Sequence, residues 1–197
     1  MSFETSMSAT TSPAPPPPRG GELPSFEEVY DEHVEFVWRG LRRLGVRDAE
    51  LDDAVQDVFV VVHRRLSSFE GKSSLKTWLF GIALKVARTH RRSRERRPTT
   101  ELDPGTEASL ASSPAAHPDR LLEEAEALRT LYALLDELDE DKREAFVLAD
   151  LEELSAPEIA EALSLNLNTV YARIRAARKA FEEALVRHRA RTRRSPP

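Results

Sequence analysis

Asn168, Ala172, Arg175 and Lys179 recur at i, i+4, i+7 and i+11, which places an amide, a guanidinium and an ammonium along one side of a helix. Tyr171 and Arg178 flank that row, and Val170, Ile174, Ala177 and Phe181 form an apolar stripe behind it. Such groups make hydrogen bonds rather than covalent chemistry. An Arg fork pairs two acceptors on guanine, and an Asn amide pairs adenine. A helix apolar behind and carrying Asn and Arg in front suits the DNA major groove. The same pattern also fits an ordinary helical hairpin with a solvated charged face, and this stretch alone leaves both readings open.

A second constellation is cationic. Thr77, Gly81, Lys85, Arg88 and Arg92 share one side of a predicted helix that runs out into RRSRERR, Arg91 to Arg97. Residues 72–97 hold nine bases and one acid, net +8. Small residues at Thr77 and Gly81 let a nucleic-acid backbone come close. The loop Phe69–Ser74 before the helix could hold an unstacked base. The alternative is a solubilising face with a basic tail. A third set is acidic: Asp53, Gln56 and Asp57 stand with Val60 on the outer face of another predicted helix. It reads as a solvated face or as a docking face for a basic protein helix.

Local signals place the helices under these groups. Ser25 with Glu28 is a capping box, and Phe26, Val29, Tyr30, Val34, Val37, Trp38 and Leu41 carry helix one to about Leu44. Gly45 suits its C-terminal cap. Helix two runs from Asp48 or Ala49 to about Leu66 on the stripe Leu51, Val55, Val58 and Val62, with Phe59 beside it. Helix three covers about Ser74–Arg96. Leu121, Leu122, Ala125, Leu128, Leu131, Leu135 and Leu138 predict a long fourth helix, and a shorter one follows Asp139. Ser155 with Glu158 is a second capping box, with Pro157 in the first turn, where a missing N–H costs little. The turn is Ser164–Leu167, and Asn166 or Asn168 caps the basic helix.

Bulk composition agrees. Of 197 residues, 32% are charged and 7% aromatic, which describes a soluble, helix-rich chain of one or two small domains. The net charge of −5 hides alternation. Residues 26–57 carry net −6, 72–97 net +8, 101–165 net −14 and 173–194 net +7. There is no Cys, and the five His include no close pair, so neither a metal site nor any other cofactor is expected. No apolar run approaches the roughly 20 residues that span a bilayer. No signal peptide is expected, and a cytoplasmic location fits. No nucleophile–base pair or phosphate-cradling Gly loop is present, so an enzyme is not expected. The expected organisation is all-α. A Pro-, Ser- and Thr-rich tail at 1–24 precedes a first helical domain at 25–97, a flexible linker at 98–118, a helix-turn-helix domain at 119–187 and a frayed basic tail at 188–197.

The strings DAVQDVF (Asp53–Phe59), FEG (Phe69–Gly71), TWLFGIA (Thr77–Ala83), EIA (Glu158–Ala160) and NTVYARIRAAR (Asn168–Arg178), in this order, resemble bacterial RNA polymerase sigma factors of the extracytoplasmic-function (ECF) type. The resemblance covers about 25–97, as sigma region 2, and 119–187, as sigma region 4. It implies a chain that binds core RNA polymerase and directs it to promoters. Asp53, Gln56, Asp57 and Phe59 would grip the β′ clamp helices, with a second contact to the β flap. Lys72, Ser73, Lys76, Thr77, Trp78, Gly81, Lys85, Arg88, Arg91 and Arg92 would read and open the −10 element. Asn168, Thr169, Tyr171, Ala172 and Arg175 would read −35 bases, with Arg173, Arg178 and Lys179 nearer phosphates. An anti-sigma factor is a further implied partner. The chain departs from the family at Gly81, Lys85 and Thr89, where Arg, Asn and Asp are usual, so the base preference at −10 is not carried over. Ser164 stands where the turn usually has Gly. The rival readings are a helix-turn-helix regulator that acts on duplex DNA without polymerase and a purely protein-binding helical adaptor.

Overall fold

The computed structural model describes residues 23–96 and 118–194. Those residues form seven α-helices and no strand. The expected tail at 1–24 and linker at 98–118 lie almost wholly outside the described residues.

Helix α1 spans Phe26–Arg43. Its start is the capping box read from sequence: Glu28 N donates to Ser25 Oγ at 3.2 Å, and Ser25 N donates to the Glu28 carboxylate at 2.8 Å. Its end is a Schellman motif, with Val46 N donating to Leu41 O and Gly45 N to Arg42 O. Gly45 takes φ +88, which only a residue without Cβ adopts cheaply. A 3₁₀ turn, Asp48–Glu50, leads into α2, Leu51–Arg65, and a second, Leu66–Ser68, leads out of it. Helix α3, Leu75–Arg96, begins where Thr77 N donates to Ser74 Oγ at 3.1 Å. Val29, Val37 and Leu41 of α1 pack with Val55, Val58 and Val62 of α2 and Leu79, Phe80 and Leu84 of α3. Gly40 lets α1 approach α3, since a Cβ there would sit 3.1 Å from Phe80 Cε2.

The second module holds α4 (Pro118–Asp136), α5 (Glu140–Phe146), α6 (Ala156–Leu163) and α7 (Leu167–Arg194). Asp139 caps α5 by accepting from Lys142 N at 3.0 Å. A π-helical turn, Val147–Leu151, extends α5. Leu135, Leu148, Ile159, Val170 and Ala177 are fully or almost fully buried, and Phe181 stacks on Phe146 at 4.2 Å.

Three expectations need correction. The fourth-helix stripe is not buried along its length: Leu122 is 63% exposed, and full burial starts at Leu134. The basic C-terminal stretch is not frayed up to Arg194. It continues α7, and Arg187 and Arg191 both donate to the Glu137 carboxylate. Finally, the two modules do not stand apart. Helix α3 packs on α6 and α1 on α4, so one face of the first module lies against the second.

Candidate nucleic-acid interface

The α7 face emerges as read. Asn166 caps the helix, its Oδ1 accepting from Thr169 N at 2.8 Å. Val170 and Ala177 are buried on the inner side, while Asn168, Tyr171, Ala172, Arg175, Arg178 and Lys179 are exposed. Thr169 and Arg173 are half-buried at the edge. Arg173 donates to Asp141 at 2.8 Å, and Arg178 Nε donates to both Asp150 oxygens at 3.0 and 3.1 Å. The row between them therefore faces outward from a helix braced on both sides.

The α3 face differs from expectation. Lys76, Lys85 and Arg92 are exposed, and so is Lys72, paired with Glu70. Ser73, Trp78 and Gly81 are half-buried around a cleft of about 140 Å³ that Glu161 and Ala162 of α6 close from the far side. Trp78 leans on Phe69 at 5.2 Å, which fixes the loop over the helix start. Thr77 and Arg91, however, are buried at 4% and 7% exposure, so neither presents an open surface. Thr77 Oγ1 donates to Glu158 at 3.0 Å, and Arg91 donates to Leu44 O at 2.8 Å while pairing with Glu140. Arg88 donates twice to Glu144, at 2.8 and 2.5 Å, and Glu144 is 0% exposed. Those two bonds hold the Arg88 pKa above its ordinary value against the opposing effect of burial. Burial pushes the Glu158 carboxyl up, but hydrogen bonds from Ser155 and Thr77 outweigh it and leave the group below its usual range.

On α2, Asp53, Gln56 and Asp57 are exposed, and Asp57 meets His90 Nε2 at 2.9 Å. Phe59, read beside the α2 core stripe, is buried, so the grip that the resemblance implies for it is not offered on an open surface. Phe59 lies at the base of a groove of about 470 Å³, edge-on to Tyr30 at 4.6 Å. Phe26, Tyr30, Val60 and His63 complete the groove wall. Phe26 and Tyr30 belong to the apolar set of α1 and Val60 to the outer face of α2, and spacing within either helix does not show that they share one groove. Nor does spacing within one helix show Glu140, Glu144 and Glu158 as partners of α3. The net −14 of 101–165 beside the net +8 of 72–97 was the available signal.

A helix-turn-helix with an outward Asn–Arg row and a second, separately capped cationic helix defines a two-module DNA-binding protein. The Sigma-70 region 2 profile matches residues 29–97, and the Sigma-70 region 4 profile matches 128–181. The chain is 35% identical to the RNA polymerase sigma-H factor of Pseudomonas aeruginosa, over 71% of this chain and 76% of that one. It is 32% identical to the ECF RNA polymerase sigma-E factor of Escherichia coli K12, over 70% and 74%. Among solved structures, CnrH in complex with the cytosolic domain of CnrY is similar at TM-score 0.57 and 26% identity, over 81% of this chain and 86% of that one. The sigma factor RpoE of Bartonella quintana, solved with the anti-sigma factor NepR, shares the fold at TM-score 0.62 and 22% identity, over 81% and 96%. The chain belongs to the sigma-70 family of RNA polymerase sigma factors, in its ECF group.

Proposed function

We propose that this sigma factor divides its work among the three surfaces described. The α2 face of Asp53, Gln56 and Asp57, with the aromatic groove beside it, docks a basic helix of core polymerase; its acidity gives the complementarity. The α3 face and the Phe69–Ser74 loop take the −10 element and hold its opened strand. Opening costs roughly 1.4 kcal/mol of DNA stacking per base-pair step, so the captured strand must offset several steps. The α7 row reads −35. The chain itself performs no covalent chemistry and works in the cytoplasm, where its polymerase and promoters are. An anti-sigma factor is a further partner, by analogy with the complex solved for RpoE. Among the described residues no helix is long and apolar enough to cross a membrane.

The observation that carries this reading is the solvent-facing Asn168–Arg175 row on a helix whose flanking arginines are already braced. A duplex-only regulator would account for α7 but not for α3 and its loop. The test is run-off transcription with purified core polymerase over a promoter library, beside a pull-down of core. Asp53→Arg with Gln56→Arg should abolish the pull-down and the transcript together. Unchanged core binding would show that another face docks the polymerase.

A further inference from the structure

We propose that the aromatic groove between α1 and α2 is the docking site of this chain's own proline run, Pro13–Pro18, which thereby competes with core polymerase for that face. The docking rests on the chemistry of the groove and the connectivity of the chain; the competition rests on the polymerase-docking reading of α2.

The groove is built for a ligand of one kind. Phe26, Tyr30, Phe59 and His63 bring four rings together, with centroids 4.6 to 6.3 Å apart. Tyr30 and Val60 stand beside each other at 40% and 47% exposure. Apolar groups left open in one patch mark a binding surface. Donors stand around the rings: the Tyr30 hydroxyl, the Gln56 amide and the Arg64 guanidinium, none with a hydrogen-bond partner among the described residues. No carboxylate lines the groove. An apolar floor rimmed by donors fits a ligand that offers apolar faces and acceptors but no N–H. A proline run is such a ligand: its carbonyls only accept, and its pyrrolidine rings lie on aromatic faces.

The chain carries that ligand next to the groove. Residues 13–18 read PAPPPP, five prolines in six, and lie outside the described residues. Prolines fix φ at about −65° and favour the polyproline II helix, which rises about 3.1 Å per residue. Six residues then reach about 19 Å, enough to cover the roughly 10 Å from Gln56 to His63 along α2. Seven residues, Arg19–Ser25, separate Pro18 from Phe26, which is both the first residue of α1 and a ring of the groove. Gly20 and Gly21 in that tether let the chain reverse. So short a tether holds its ligand at an effective concentration of about millimolar, so weak contacts suffice. With the groove filled, the face of Asp53, Gln56 and Asp57 loses the apolar surface beside it, and core polymerase must displace the run to dock.

The chain has no Cys, so Ser12→Cys places a single nitroxide label at the start of the run in the full-length protein. Paramagnetic broadening is read at the Tyr30 amide and the Val60 methyls, with Val186 of α7 as the distant reference. Both groove signals should broaden. The broadening should fall about threefold or more when Pro15–Pro18 are all replaced by Ser, a tail of the same length and charge that keeps mere proximity. Val60→Glu, at an exposed position, should likewise remove it from Tyr30. Equal broadening with the proline and serine tails, or no effect of Val60→Glu, would overturn the docking. Broadening found only between separate chains, in a mixture of spin-labelled and isotope-labelled protein, would make the occupant a second copy and overturn docking in cis. The serine-tail protein should also bind core polymerase about threefold more tightly, the gain expected when the groove loses a ligand that fills it about two thirds of the time. Proline-dependent broadening without any change in core affinity supports the docking and removes the groove from the polymerase-docking face.

Discussion

At the scale of single residues, the α7 arginines divide by what holds them. Arg173 and Arg178 are committed to Asp141 and Asp150. Arg175 is exposed and has no ion-pair partner among the described residues. A free guanidinium in the middle of a recognition row is the one placed for a base. Arg175→Ala should cost about 1–3 kcal/mol of −35 duplex binding and relax preference at one base pair. Titrations against a set of single-base variants check this. An equal loss on every duplex would make it a phosphate contact instead. His33 offers a residue-scale pH test. It is buried, and desolvation lowers its pKa below 6.5. The unfolded chain therefore takes a proton near pH 6.5 while the folded chain refuses it until lower pH. Its contribution to stability is complete above 6.5 and is lost as pH falls from there toward the folded-state pKa. An NMR titration of the His33 ring should give a midpoint below 6.5.

At the scale of elements, the turn between α6 and α7 sets one strained residue inside an intact hydrogen-bond pattern. Ser164 does take a left-handed backbone, φ 56 and ψ 45. Yet the Schellman bonds are intact, with Leu165 N donating to Ala160 O at 2.9 Å and Ser164 N to Glu161 O at 3.1 Å. The cost therefore sits in one residue's torsions rather than in lost hydrogen bonds. A non-Gly residue in this region costs roughly 1–2 kcal/mol, and Gly returns about 0.4–1 kcal/mol of that through unfolded-state entropy. Ser164→Gly should then stabilise by about 0.5–1 kcal/mol, visible as a rise of a few degrees in Tm by calorimetry. A fall in Tm would mean that the serine hydroxyl contributes something the geometry does not display. Elements of this kind were legible in the sequence because their determinants are local. Both capping boxes, the Asn166 cap, Gly45 and the two sides of α7 follow from spacing over a few residues. The burial of Thr77 and Arg91 was not legible, since neither the polar side on which Thr77 falls nor a guanidinium at the end of a buried row announces a covering partner. Thr77 is covered from α6, 81 residues away, whereas Arg91 follows Phe80, Leu84 and Ala87 on the buried side of α3 and is held both by Leu44 O at the end of α1 and by Glu140 of α5. Leu122 failed for the converse reason: a periodic apolar residue is buried only if a neighbour lies opposite it.

At the scale of the whole molecule, what decides whether the modules open is the chemistry of the boundary between them. Arg43–Glu152, Arg88–Glu144 and Arg91–Glu140 cross it, joined by the Thr77–Glu158 hydrogen bond. Between 0.1 and 1 M salt the Debye length falls from about 10 Å to about 3 Å. Glu144, fully buried when closed, is screened little in that state. Once open, the same carboxylate and its Arg88 partner are stabilised by counterions. Salt therefore favours separation, whereas an apolar boundary would not weaken. Small-angle scattering should show the radius of gyration growing as NaCl rises over this range. Glu144→Gln should shift that growth to lower salt, because an amide pairs a guanidinium far less strongly than a carboxylate does. If the radius were unchanged by salt in both proteins, apolar packing would hold the modules and charge would have no part in releasing them.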